Sequence, residues 1–185
     1  LPRKARGVMA DGSGGPDPSH PAQVRAVYDE IASHFSQTRA YPWPEVEDFL
    51  AGVEGGRRGI DIGCGNGRHT AVLAAVVERA LAVDASGELL EEARERLDPA
   101  VSLLQGDAAR LPVANGTVDV GLYIATLHHL PDRETRVGSL RELSRVLGEG
   151  GNALVSAWST AHDRFEEYDG TEADGFDTTI DWTLP

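Results

Sequence analysis

The run Gly59-Ile60-Asp61-Ile62-Gly63-Cys64-Gly65-Asn66-Gly67-Arg68 places the tightest limit on what this chain can fold into. Its first residues predict a short buried strand, which breaks into a loop of alternating glycines. Apolar residues at Val72, Leu73, Val76 and Val77 then predict a helix over Thr70 to Arg79. This is the first β-loop-α unit of a nucleotide-binding α/β sheet. Glycine is required where a loop turns tightly and lays its backbone against a ligand, because a Cβ would block the approach. The spacing Gly63-x-Gly65-x-Gly67 differs from the G-x-G-x-x-G of a pyrophosphate-binding dinucleotide fold. Taken alone, the run also fits a plain strand-turn-helix.

The rest of the chain supplies the partners such a strand needs. Val24, Val27, Tyr28, Ile31 and Phe35 recur at helical spacing, which predicts an amphipathic helix from Gln23 to Phe35. Ser36 to Pro44 reads as a proline-stiffened loop that either presents Arg39, Tyr41 and Trp43 to a ligand or covers a core. A second helix is expected from Glu45 to Ala51. Ala80 to Asp84 predicts the second strand, and its terminal acid lies 17 residues after Gly67. A carboxylate there accepts from both hydroxyls of a ribose, or it caps the next helix, a role for which Ser86 is available. Glu88 to Leu97 is a charged helix, and Val101 to Asp107 the third strand. The fourth strand, Val118 to Ile124, leaves through Ala125-Thr126-Leu127-His128-His129-Leu130-Pro131, where an open parallel sheet binds its ligands. A helix from Arg133 to Leu147, stopped by Gly148-Glu149-Gly150-Gly151, precedes a fifth strand from Asn152 to Trp158.

The expected architecture is a Rossmann-like, mostly parallel sheet with helices on both faces. Residues 1–21, rich in glycine and proline, should be a disordered tail, and residues 22–185 one domain. The acidic stretch Ser159 to Pro185 is too short for the helix and hairpin that normally finish such a sheet, so the C-terminal part should be curtailed or unusual. No run of about 18 apolar residues predicts a membrane span. The basic start has no apolar signal segment, and one cysteine, Cys64, forms no internal disulfide, so a cytoplasmic protein is expected. The net charge of −13 comes with one lysine against sixteen arginines, a balance expected of a salt-adapted organism. High salt weakens phosphate attraction, so this charge does not exclude a nucleic-acid substrate.

Four strand-end features in order, Asp61-x-Gly63-x-Gly65-x-Gly67, Asp84, Gly106-Asp107-Ala108 and Gly148-x-Gly150-Gly151, make the chain resemble the class I S-adenosyl-L-methionine-dependent methyltransferases. The resemblance implies that Asp61, Gly63, Cys64, Gly65, Asn66, Gly67, Asp84, Ala85, Asp107, Ala108 and Ile124 line the cofactor site. Asp107-Ala108 would meet the adenine amine. The segment Tyr28 to Arg39, then Pro42-Trp43-Pro44, then Ile124 to Leu130, is similar to the tRNA wobble-uridine methyltransferases, which esterify the carboxylate of 5-carboxymethyluridine. That family works with a small zinc-binding activator protein. The resemblance implies an interface with it along the edge strand Val101 to Gln105, with any zinc held by the partner.

A carboxylate acceptor is already ionised at neutral pH and needs no general base. It needs a cation to orient it, and Arg39 suits that role through two parallel hydrogen bonds. His128 or His129 would add a donor, and Tyr28 and Trp43 would stack on cofactor or base. The alternatives are a small-molecule methyltransferase of quinone or carboxylic-acid type and a non-catalytic cofactor-binding subunit.

Overall fold

The computed structural model describes residues 21–53 and 57–157. Residues 1–20, and the C-terminal stretch with Trp158, lie outside them. The elements are helix α1 (Pro21–Thr38), helix α2 (Pro44–Ala51), strand β1 (Arg58–Ile62), helix α3 (Arg68–Val76), strand β2 (Arg79–Asp84), helix α4 (Gly87–Arg96), strand β3 (Ser102–Gln105), strand β4 (Val118–Ile124), a 3-10 turn (Leu127–His129), helix α5 (Arg133–Val146) and strand β5 (Leu147–Ser156). The five strands are parallel in the order β3-β2-β1-β4-β5. β3 is therefore an edge strand among the described residues, as expected.

Alternation along β1 separates two faces. Ile60 and Ile62 pack with Val83, Tyr123 and the α5 residues Leu143 and Val146. Gly59 and Asp61 face the other way, and a Cβ on Gly59 would strike Leu73 of α3. That face also carries Leu122 of β4 and Val46 and Leu50 of α2. Ala82 lies in register with Asp61 and packs with Leu90 of α4. Helices α2, α3 and α4 thus cover one face and α5 the other. Burying apolar side chains at about 25 cal/mol per Å² on both faces holds this layered arrangement.

Several boundaries differ from expectation. Pro21, assigned above to the tail, opens α1, a position where a missing N–H costs nothing. α1 also runs through Ser36, Gln37 and Thr38, which read as loop. The Thr38 hydroxyl donates to the His34 and Phe35 carbonyls, and the Asn66 amide donates to that of Ser36. These partners satisfy the carbonyls that a helix end leaves open. α3 stops at Val76 because Val77 is extended (φ −120°, ψ 155°). Glu78 N instead donates to Arg57 O at 2.8 Å, and Arg79 already belongs to β2.

Val101 and Asp107 flank β3 instead of forming its ends. Gly148 to Gly151 do not merely stop a helix. They form the irregular start of β5, where the register jumps from Val118↔Leu147 to Val120↔Asn152. A Cβ on Gly151 would lie 3.0 Å from Gly148 O and 3.2 Å from Asp119 O, so any other residue there would press on the backbone of this irregular start.

Candidate active site

β1 carries Asp61 and the glycine loop to the carboxyl edge of the sheet. Gly63 N and Cys64 N donate to Val83 O at 2.8 and 3.1 Å, drawing the loop across β2. Gly63 and Gly65 adopt φ of 70° and 54°. A Cβ on Gly63 would enter the Thr126 side chain, and one on Gly65 would meet the Phe35 ring at 3.3 Å. Positive φ favours glycine at both positions, and at Gly63 the Thr126 side chain excludes a Cβ as well. Gly67 is the N-cap of α3.

Asp84 receives Gly65 N at 2.8 Å and Ser86 N at 2.9 Å. The capping of α4 falls to Ser86, whose hydroxyl accepts from Leu89 N. Asp84 thus braces the loop from the end of β2. Burial raises its carboxyl, while the N–H groups of Ser86, Gly65 and Ala85 pull the other way. Asp61 is 2% exposed and accepts from the Thr70 hydroxyl at 2.6 Å. Burial pushes its carboxyl up to about 7. A buried carboxylate so lightly compensated favours a ligand that brings positive charge.

The remaining expected ligand residues divide. Ala85 is exposed beside Asp84, and its carbonyl accepts from Gln105 Nε2 at 2.9 Å. Asp107, exposed just after β3, accepts from Ala109 N at 2.8 Å, and Ala108 is half-buried against the α5-side core. Cys64 is buried with Ala82 and Leu90, and burial pushes its thiol well up, so it packs as an apolar residue. Ile124 is a core residue, 8% exposed. The side chain of Asn66, expected at the cofactor, is engaged within the protein. Its Nδ2 donates to Ser36 O, Ser36 Oγ and Arg39 O at 3.3, 3.2 and 3.1 Å, and its Oδ1 accepts from Arg68 N at 3.4 Å. The whole side chain ties the glycine loop to the end of α1.

α1 lies across the mouth of the sheet. Asp29 accepts from the Ser86 hydroxyl at 2.5 Å, Ser33 donates to Glu92 at 2.8 Å, and the Phe35 ring faces Gly65. This docking brings Tyr28, Arg39 and His129 together. The Tyr28 hydroxyl lies 2.9 Å from His129 Nε2, and the His128 and His129 rings are 4.2 Å apart. The Arg39 guanidinium sits 4.2 Å over the Phe35 ring, which packs edge-on against Tyr28.

Burial, then His128, pushes His129 down to about 3, and burial pushes Tyr28 up to about 12. Both stay neutral at ordinary pH, so the charge of this cluster is that of Arg39. His128 is lowered by burial as well.

Trp43 lies apart from that cluster. Its ring meets His69 edge-on at 5.6 Å, lies 5.3 Å from the Arg68 guanidinium, and packs against the α2–α3 core. Both ring nitrogens of His69 are buried and have no hydrogen-bond partner among the described residues, and burial drives its pKa down to about 4.

Phe35, Ser36, Asp29 and Thr126 were missed as site residues. Phe35 carried the helical period of a core residue, and the others carried no distinguishing local signal. Ala125, in the left-handed region at φ 52°, marks the exit of β4 as strained, which no local pattern foretold. Among the described residues there is no cluster able to hold a metal ion, and no helix is long and apolar enough to cross a membrane.

This cradle at the carboxyl ends of β1, β2 and β4 is the ligand site of a class I methyltransferase fold. The family described as "Methyltransferase domain" matches residues 60–155, just over half of the chain. The chain belongs to this family, the class I S-adenosylmethionine-dependent methyltransferases.

Among its relatives is a tRNA (carboxymethyluridine(34)-5-O)-methyltransferase of Saccharomyces cerevisiae, 40% identical over 164 residues, which cover 88% of this chain and 57% of that protein. The ALKBH8 protein of Mus musculus, with the same enzyme name, is 41% identical over 136 residues, covering 74% of this chain and 20% of that one. The chain therefore spans less than two thirds of either. A chain of the solved complex between the Haloferax volcanii Trm112 methyltransferase activator and a protein assigned as a methyltransferase has a TM-score of 0.59 at 27% identity, covering 68% of this chain and 57% of that one. S-adenosylmethionine carries sulfonium and ammonium cations, which suits the buried Asp61 carboxylate and the glycine cradle.

Proposed function

We propose that this chain methylates the carboxylate of 5-carboxymethyluridine at the wobble position of tRNA, as the catalytic subunit of a heterodimer. The observation that carries the reading is the placement of one cation, Arg39, on the Phe35 ring over Gly65, beside a neutral Tyr28–His129 pair. The names of the 40% and 41% identical relatives support the acceptor.

When bound, S-adenosylmethionine supplies an electrophilic methyl group. Asp61, Asp84 and the glycine loop hold the cofactor. Arg39 binds the substrate carboxylate through its guanidinium and orients one oxygen without protonating it. A second cation would hold that oxygen back electrostatically, and the neutrality of His129 avoids this. Tyr28 and His129 close the site on the side of β4 and exclude water, so that positioning and desolvation carry the rate.

The heterodimer reading rests on the edge strand β3 and the groove beside it. Leu97, Pro99, Val101 and Leu103 line a space of about 360 Å³ there. An uncovered edge strand favours pairing with another chain. The solved complex of a similar chain with a methyltransferase activator supports a partner of that kind, and the family resemblance implies a small zinc-binding protein.

The test is methyl transfer from radiolabelled S-adenosylmethionine to bulk tRNA in molar potassium chloride, with and without the activator, followed by mild alkali. Label that enters tRNA with the activator and leaves as methanol supports the reading. Label stable to alkali overturns the carboxylate acceptor, and no label with cofactor still bound favours a small-molecule acceptor.

A further inference from the structure

The loop Arg39 to Trp43 gathers positive charge in a chain whose net charge is −13. Arg96 Nη1 donates to the carbonyls of Arg39 and Ala40, both at 3.3 Å. Arg68 Nη1 donates to that of Tyr41 at 3.4 Å, and its guanidinium lies 5.3 Å from the Trp43 ring centre. Two arginines therefore donate to the carbonyls of three consecutive residues, the first of which is itself an arginine. The ion pairs among the described residues join Arg58 to Asp119, Arg94 to Glu91 and Arg145 to Glu142, and include neither Arg68 nor Arg96. Like charges held this close repel, and the charges of Arg39 and Arg96 add to burial in bringing Arg68 down to about 10. Each guanidinium has five donors, so carbonyl contacts leave several on Arg68 and Arg96 for a further acceptor.

Tyr41, whose carbonyl accepts from Arg68, is 83% exposed, the highest among the exposed large apolar residues of the described chain. The prolines at 42 and 44 limit the backbone around it. Guanidinium groups held on the backbone of a stiff loop that also carries an exposed tyrosine match the alternation of phosphate and base in a nucleic-acid strand. The cluster is also continuous with the site, since Arg39 packs on Phe35 and Phe35 on Gly65.

We propose that Arg68 and Arg96 bind backbone phosphates of the substrate RNA, with Tyr41 stacking on an adjacent base. This surface rests on the tRNA reading above. It explains how an acidic protein holds a polyanion. At physiological ionic strength, screening over about 8 Å mutes the distant acids, while direct guanidinium–phosphate pairing persists.

The test measures binding of a fluorescent anticodon stem-loop RNA to the full chain with its activator, across a salt series, for wild type, R68Q/R96Q, R68K/R96K and Y41A. The glutamine pair is expected to weaken binding on the order of a hundredfold at low salt and to reduce the slope of log K against log salt by about two, one for each phosphate left without its cation. The lysine pair should keep the wild-type slope. Y41A should weaken binding roughly tenfold with the slope unchanged. Cofactor affinity, measured by calorimetry, should stay within about twofold in all variants, which separates this role from loss of the fold. Wild-type binding with an unaltered glutamine pair overturns the surface alone. A wild-type complex that binds no RNA overturns the tRNA reading and this surface with it. Equal displacement of the RNA by polyglutamate of the same charge overturns the RNA assignment in favour of an acidic protein partner.

Discussion

The side-chain amide of Asn66 donates to the backbone oxygen of Arg39 at 3.1 Å, joining the glycine loop to the residue we assign to the substrate carboxylate. The same amide holds Ser36, so two segments thirty residues apart in sequence are tied together. Cofactor cradle and substrate cation are thereby held in fixed relation, which is what a positioning mechanism requires.

Asn66→Ala removes one of two donors from each of the part-buried Ser36 and Arg39 carbonyls, which keep Arg39 N and Arg96 Nη1, at about 0.5–1.5 kcal/mol per hydrogen bond lost. The α1 end should loosen. Limited tryptic cleavage after Arg39 is expected to accelerate at least several-fold, and unchanged cleavage kinetics would show that Asn66 does not hold this segment.

Arg39→Ala should abolish methyl transfer to RNA almost completely while cofactor affinity is retained. Arg39→Lys should restore only part of the activity, since an ammonium lacks the fork that grips a carboxylate with two bonds. Loss of cofactor binding in calorimetry would remove the carboxylate-clamp role.

Asp61 titrates near 7 in the folded chain and near 3.8 otherwise, so between these values the folded state binds more protons. Without cofactor, stability should fall as pH rises through this window, at about 1.4 kcal/mol per pKa unit. Asp61→Asn should melt higher than wild type at pH 8, match it more closely at pH 5, and lose cofactor affinity. An identical melting profile for the two proteins across that range would show that Asp61 is not the buried acid described.

His69 has the opposite sign. Its folded pKa of about 4 lies below the ordinary 6.5, so the unfolded state takes up the proton first as pH falls. Stability held at neutral pH should be lost from about 6.5 down to 4. His69→Phe keeps a ring against Trp43 and removes two unpaired nitrogens. Thermal melts at pH 5 should show the variant above wild type, with a smaller gain at pH 7.5; a variant equally destabilised at both would point to packing strain.

What the sequence by itself determined is the order of strands and loops and the acids at their ends. Asp61, Asp84 and Asp107 lie at or just beyond the ends of β1, β2 and β3 because strand alternation and glycine punctuation act over a few residues. The glycine positions were legible for the same reason, since positive φ is a local demand.

Only the tertiary structure decided what those residues touch. The side-chain partners of Asn66, Ser36 and Arg39, were not legible because they come from the end of a helix packed on the loop from outside. Phe35 kept a core-like period yet faces Gly65, and Trp43 turned to His69 instead of joining Arg39. Each of these depends on how α1 and α2 dock on the sheet, a choice set by long-range packing and hydrogen bonding across thirty or more residues, where local propensity carries no information.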